Sequence, residues 1–119
     1  MITTKNIWDA WELIAIEYLQ KKWYKILDTN YKFGRFWEID IIASKDWYTI
    51  FYEVKYRSSE KYGRAEESIT KSKLHKIMKS SQSYCFKNKI DYEWMKIEAI
   101  IIEKYSDKHR IKHYKNLEF

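Results

Sequence analysis

Two apolar runs of β character constrain this chain more than anything else in it. Residues 38–44 (EIDIIAS) and 48–56 (YTIFYEVKY) are rich in β-branched and aromatic side chains, and the break between them is too short for anything but a hairpin. Both runs are apolar at successive positions rather than at alternate ones. That pattern suits central strands of a sheet covered on both faces.

The flanking sequence supplies the covers. Over residues 8–22, Trp11, Ile14, Ala15, Tyr18 and Leu19 fall on one stripe at helical spacing. Residues 24–33 read as a first strand, and 57–68 as a polar loop. A second helix is predicted over 65–87, with Ile69, Leu74, Ile77, Met78, Ser81 and Cys85 on its inner stripe. Residues 94–105 form another strand, and 110–114 suggest a short final one. The expected order is α-β-β-β-α-β within a single domain spanning 1–119, a length that supports one core.

Inside the apolar runs sit charges that a merely structural sheet avoids. If Asp46 and Trp47 are the two loop residues of the hairpin, Lys45 pairs with Tyr48. Counting outward then sets Asp40 opposite Glu53 and Glu38 opposite Lys55. Alternation puts all four on one face, with the Asp40 and Glu53 β-carbons roughly 4.5–5.5 Å apart in a non-hydrogen-bonded pair. Like charges so opposed are destabilising unless something positive lies between them. Mg2+, bound by one or two carboxylates plus waters, resolves the conflict. Lys55 then points the same way and is placed to orient a water or balance a phosphate. Together these residues suit metal-assisted phosphodiester hydrolysis. The alternative is a Glu38–Lys55 cross-strand ion pair, with Asp40 and Glu53 solvated at a sheet edge.

The formal charge of +6 favours polyanionic partners, nucleic acid first. A single cysteine excludes an internal disulfide and a multi-cysteine zinc site. The acidic residues in MITTKNIWDAWELIA argue against a signal peptide or membrane span, so a cytoplasmic protein is expected. His109 and His113 share an i,i+4 spacing in a short polar tail, without a third ligand nearby. Cys85 reads as core. Tyr56, Tyr62, Tyr84 and Tyr105 lie near lysines, an adjacency that eleven tyrosines produce by chance.

Asp40 followed by Glu53-Val54-Lys55 resembles the D…(D/E)-x-K signature of restriction-endonuclease-like, PD-(D/E)XK nucleases. The predicted αβββαβ order is that fold's core, a mixed central sheet flanked by helices. From about Ile7 to Cys85 the sequence resembles the YraN family, small bacterial proteins related to archaeal Holliday-junction resolvases. The GEID-like block (Trp37 to Asp40) and the EVK-like block occur in the family's order. The resemblance implies a Mg2+- or Mn2+-dependent DNA endonuclease, with branched or recombination and repair intermediates as candidate substrates. It also implies Asp40 and Glu53 as metal ligands, Lys55 as the catalytic lysine and Glu12 as an acidic residue completing the metal site. Arg57 and Lys73 become phosphate contacts, and Glu38 takes a supporting role. The related resolvases point to a homodimer. The competing reading is a nucleic-acid-binding module that keeps the fold without the catalysis.

This sequence departs from the family pattern in one systematic way. Trp8, Trp11, Trp23, Trp37 and Trp47 stand where the pattern has glycine, in a chain with six tryptophans, two glycines and no proline. A two-residue hairpin loop needs positive φ at both positions, hence Asp-Gly rather than Asp-Trp, and Trp23 ends a helix where glycine is usual. The expectation is that the native protein carries glycine at these five positions, through UGA codons read as glycine and here rendered as tryptophan. The alternative is a surface of tryptophans that stack on bases.

Overall fold

A computed structural model describes residues 4–35, 37–58, 69–115 and 117, with the side chains of 4–9, 37 and 105 excepted. Helix α1 (Thr4–Lys21) leads into three antiparallel strands, β1 (Lys25–Phe33), β2 (Trp37–Lys45) and β3 (Tyr48–Arg57). Helix α2 (Lys71–Lys87) and a 3-10 turn at Tyr92–Trp94 then carry the chain to β4 (Met95–Tyr105), which pairs parallel with β3. Strand β5 (Lys108–Tyr114) closes the sheet antiparallel to β4. The strands lie in sequence order, β1-β2-β3-β4-β5. This is the mixed sheet flanked by helices that the sequence predicts, with the final strand present.

The doubly apolar runs are central because each face has its own core. On one side Ala15 and Leu19 of α1 pack with Tyr24, Ile41, Ala43, Ile50, Tyr52, Ile100 and Ile102. On the other, Leu74, Ile77 and Cys85 of α2 pack with Ile39, Ile42, Phe51 and Ile97. Burying a Leu, Ile or Phe contributes roughly 1.5–3 kcal/mol each, so these two layers dominate the stability. Tyr84, one of the tyrosines near lysines, packs edge-on against Tyr31 and Phe51. Tyr56 stacks on Trp11 at 3.7 Å. Tyr62 lies outside the described residues, as does the side chain of Tyr105.

The predicted start of α2 is corrected. The helix begins at Lys71 and not near Ala65, because Thr70 has extended backbone and its hydroxyl accepts the Lys73 N–H at 3.2 Å. That bond satisfies one of the unpaired donors of the first turn and fixes where the helix starts. Residues 65–68 lie outside those described.

The hairpin behaves as a two-residue loop. Asp46 and Trp47 have φ of 51° and 73°, and Lys45 pairs with Tyr48. Trp23 has φ 70°, and the Tyr24 N–H reaches the Leu19 carbonyl while the Trp23 N–H reaches Gln20, a Schellman ending with tryptophan in glycine's place. Both side chains point into solvent, 88% and 91% exposed. Trp11 differs: its backbone is helical, which asks for no glycine. The side chains of Trp8 and Trp37 are outside the described set.

Candidate active site at the fork between two strands

The site is made by a divergence of strands. Pairing between β2 and β3 runs from Lys45↔Tyr48 to Ile41↔Tyr52. Beyond it, β2 stays paired with β1 as far as Trp37, and β3 stays paired with β4 as far as Arg57. Asp40 and Glu53 are the first residues past the end of that ladder. The sequence reading continued the ladder to Glu38 and Lys55, and in the structure the strands part before those positions. Asp40 itself bridges the start of the gap, its Oδ2 accepting the Val54 N–H at 2.8 Å.

Glu53 and Lys55, two residues apart on β3, share a face. Lys55 Nζ lies 2.8 Å from Glu53 Oε1, with both side chains largely shielded from solvent. Lys55 therefore pairs with Glu53 and not with Glu38, which is exposed on β2 opposite Lys32. This arrangement replaces the cross-strand Glu38–Lys55 pair weighed from the sequence.

Electrostatics concentrates on Asp40. Burial raises its pKa to about 7, and the charges of Glu53, Glu12 and Glu38 push the same way, against the Val54 hydrogen bond. Burial alone would lower the pKa of Lys55. Its contact with Glu53, with the charges of Glu53 and Asp40, outweighs that and leaves it raised. Lys73, on the first turn of α2, has a lowered pKa through its contact with Lys55, its burial and the positive charges of Lys55 and Arg57. The structure thus brings Asp40, Glu53, Lys55 and Lys73 together, with Arg57 close enough for its charge to act on Lys73. Glu12 reaches Asp40 by its field, while its Oε2 accepts from Asn30 Nδ2 at 3.1 Å.

Among the described residues, no three His, Cys, Asp or Glu side chains converge as a metal cluster. Two half-buried carboxylates, Asp40 and Glu53, nevertheless have the donor chemistry that suits Mg2+ or Mn2+. Such ions keep several waters and take hard oxygen ligands.

Two features of the structure were not read from the sequence. Asn30 sits in β1 with left-handed backbone, φ 52°. Asparagine inside a β run is the one hint of it, because Asn tolerates that conformation better than most residues. His113, set aside in the tail, is buried on β5, with Nε2 2.6 Å from Glu98 Oε1 and Nδ1 3.1 Å from the Tyr18 hydroxyl. Nothing in the local sequence pairs His113 with Glu98.

Residues 11–102 match the model of the uncharacterised protein family UPF0102. The chain belongs to this family. A UPF0102 protein from Carboxydothermus hydrogenoformans is 32% identical over 113 residues, 95% of each chain. One from Alkaliphilus oremlandii is 37% identical over 114 residues, covering 94% of this chain and 97% of the relative. The UPF0102 protein YraN of Shigella boydii is 41% identical over 81 residues, 68% of this chain and 61% of the relative. UPF0102 is thus the YraN family named from the sequence blocks. Among the described residues no helix is long and apolar enough to cross a membrane.

Proposed function

We propose that the protein is a divalent-metal-dependent DNA endonuclease acting at the fork between β2 and β3. The observation that carries this reading is the pairing of a half-buried Asp40, its pKa raised to about 7, with a Glu53–Lys55 contact of 2.8 Å beside it. Two half-buried carboxylates beside a fixed ammonium are costly in a structural sheet and useful in a site that binds a cation and a phosphate.

In this reading Asp40 and Glu53 hold Mg2+ or Mn2+, with Glu12 assisting. Bound there, the ion supplies Lewis acidity toward a phosphodiester. Lys55 donates a hydrogen bond from Nζ to the attacking water or to a non-bridging phosphate oxygen, and so stabilises charge that grows during in-line displacement. Lys73 and Arg57 neutralise the neighbouring phosphates. Branched recombination or repair intermediates are the substrate shapes to try first, and a homodimer suits their symmetry.

A second reading is a nucleic-acid-binding module without catalysis. It is favoured by the Glu53–Lys55 contact itself, which already satisfies one of the two metal-binding carboxylates. Labelled single-stranded, duplex, flap and four-way-junction DNA, each with Mg2+, Mn2+ or chelator, separates the two readings. The enzyme reading expects metal-dependent cutting of at least one shape. Binding of every shape with no cutting supports the module.

A further inference from the structure

We propose that the edge strand β5 is part of the DNA-binding surface, its Lys108, Arg110 and Lys112 gripping the phosphodiester backbone beside Lys55 and Arg57. The inference rests on the reading above for the nature of the partner, and extends it to a strand that holds none of the site residues.

The register carries the inference. Residues opposed in a ladder share a sheet face, and neighbours along a strand alternate between faces. Lys55 lies opposite Ile101, which lies opposite Lys112, and Arg57 lies opposite Glu103, which lies opposite Arg110. Lys112 and Arg110 therefore share the face of Glu53, Lys55 and Arg57. They stand two strand spacings away, roughly 10 Å, which is about three nucleotide rises along one strand of DNA. Between the two sets of cations β4 presents Ile101 and Glu103, both buried. Glu103 Oε1 lies 2.9 Å from Lys112 Nζ, so the carboxylate anchors an ammonium whose side chain stays 28% exposed. Lys55 is exposed to the same degree, and Arg110 and Lys108 more fully. An edge strand also carries charge to prevent pairing with a second chain, but that purpose has no preferred face. Here Lys108, Arg110 and Lys112 all lie on the face of the site, while the opposite face of β5 carries His109, Ile111 and His113. The charges of Glu53 and Glu103 are outnumbered on this face. One-sided positive charge continuous with Lys55 and Arg57 is the footprint of a polyanion.

The test titrates labelled duplex DNA with the full chain over a series of salt concentrations, in chelator, so that binding is read without cutting. Arg110→Gln and Lys108→Gln each remove one exposed charge from the face of the site. Lys104→Gln removes one exposed charge from β4 on the opposite face, where Lys104 pairs with His109. Circular dichroism establishes that each variant is folded. The slope of log affinity against log salt should fall by about one for Arg110→Gln and for Lys108→Gln, and stay unchanged for Lys104→Gln. Should Arg110→Gln not fold, Lys108→Gln carries the comparison. Equal changes on the two faces, or no change on either, overturn the proposal and leave the charge of β5 as edge protection. Failure of the unaltered protein to bind DNA overturns the proposal together with the reading it rests on. The expected slopes without any cutting in Mg2+ or Mn2+ sustain the β5 surface and remove only the nuclease.

Discussion

Asp40 sets the pH behaviour expected of the metal-free protein. Its folded pKa of about 7 lies above its ordinary value of 3.8, so the folded state binds the proton more tightly than the unfolded chain does. Stability from this group is therefore full at low pH and is lost as pH rises through roughly 4 to 7, by up to about 4 kcal/mol. Asp40→Asn keeps an oxygen for the Val54 N–H and removes the charge. Urea unfolding at pH 4.5 and 7.5 with chelator should show that loss in the unaltered protein and little of it in the variant. Equal pH dependence in both contradicts the assignment. The tryptophans are also a matter of single residues. Trp23 and Trp47 adopt left-handed backbone, and their exposed rings gain almost nothing from packing in return. Trp23→Gly and Trp47→Gly should each stabilise the fold by about 0.5–1 kcal/mol in the same unfolding assay. The intact mass of protein from its natural source should fall short of the printed sequence by whole Trp-to-Gly differences, and a mass agreeing with six tryptophans rules out the reassignment.

Among the elements, β5 adds one buried polar contact to its ladder with β4. Glu98 on β4 is 2% exposed, and His113 hydrogen-bonds to it at 2.6 Å and also to Tyr18 of α1. His113→Ala leaves that buried carboxylate without its hydrogen-bond partner and should cost about 1–3 kcal/mol in urea unfolding. A cost below about 1 kcal/mol means that the sheet edge is held by packing instead. The same scale shows what was legible in the sequence. Strands β2 and β3 were readable because apolar residues on both faces leave few alternatives to a central hairpin. The register from Lys45↔Tyr48 to Ile41↔Tyr52 followed from the two-residue loop. The fork beyond Ile41 was not readable, since it depends on β2 following β1 while β3 follows β4. Nor was the start of α2, which the Thr70 hydroxyl sets by capping the Lys73 N–H.

Across the whole molecule, the excess positive charge and the grouping of Lys55, Lys73 and Arg57 describe a surface suited to phosphates. DNA affinity should fall linearly with the logarithm of salt concentration, and Lys73→Ala should reduce that slope by about one in a fluorescence titration. A slope unchanged by the substitution removes Lys73 from the interface. The sequence singles out Asp40, Glu53 and Lys55 because charge inside apolar strands demands a reason. The left-handed backbone of Asn30 and its hydrogen bond to Glu12 are not legible there, because they depend on a helix 18 residues away. The central claim is that these residues cut DNA with a metal. Single-turnover cleavage under saturating protein, comparing the unaltered chain with Glu53→Ala in Mg2+, Mn2+ and chelator, tests it most directly. The account predicts metal-dependent cutting that falls at least about 100-fold in the variant while DNA binding persists. Equal rates in the two proteins, or cutting that survives chelator, contradict it.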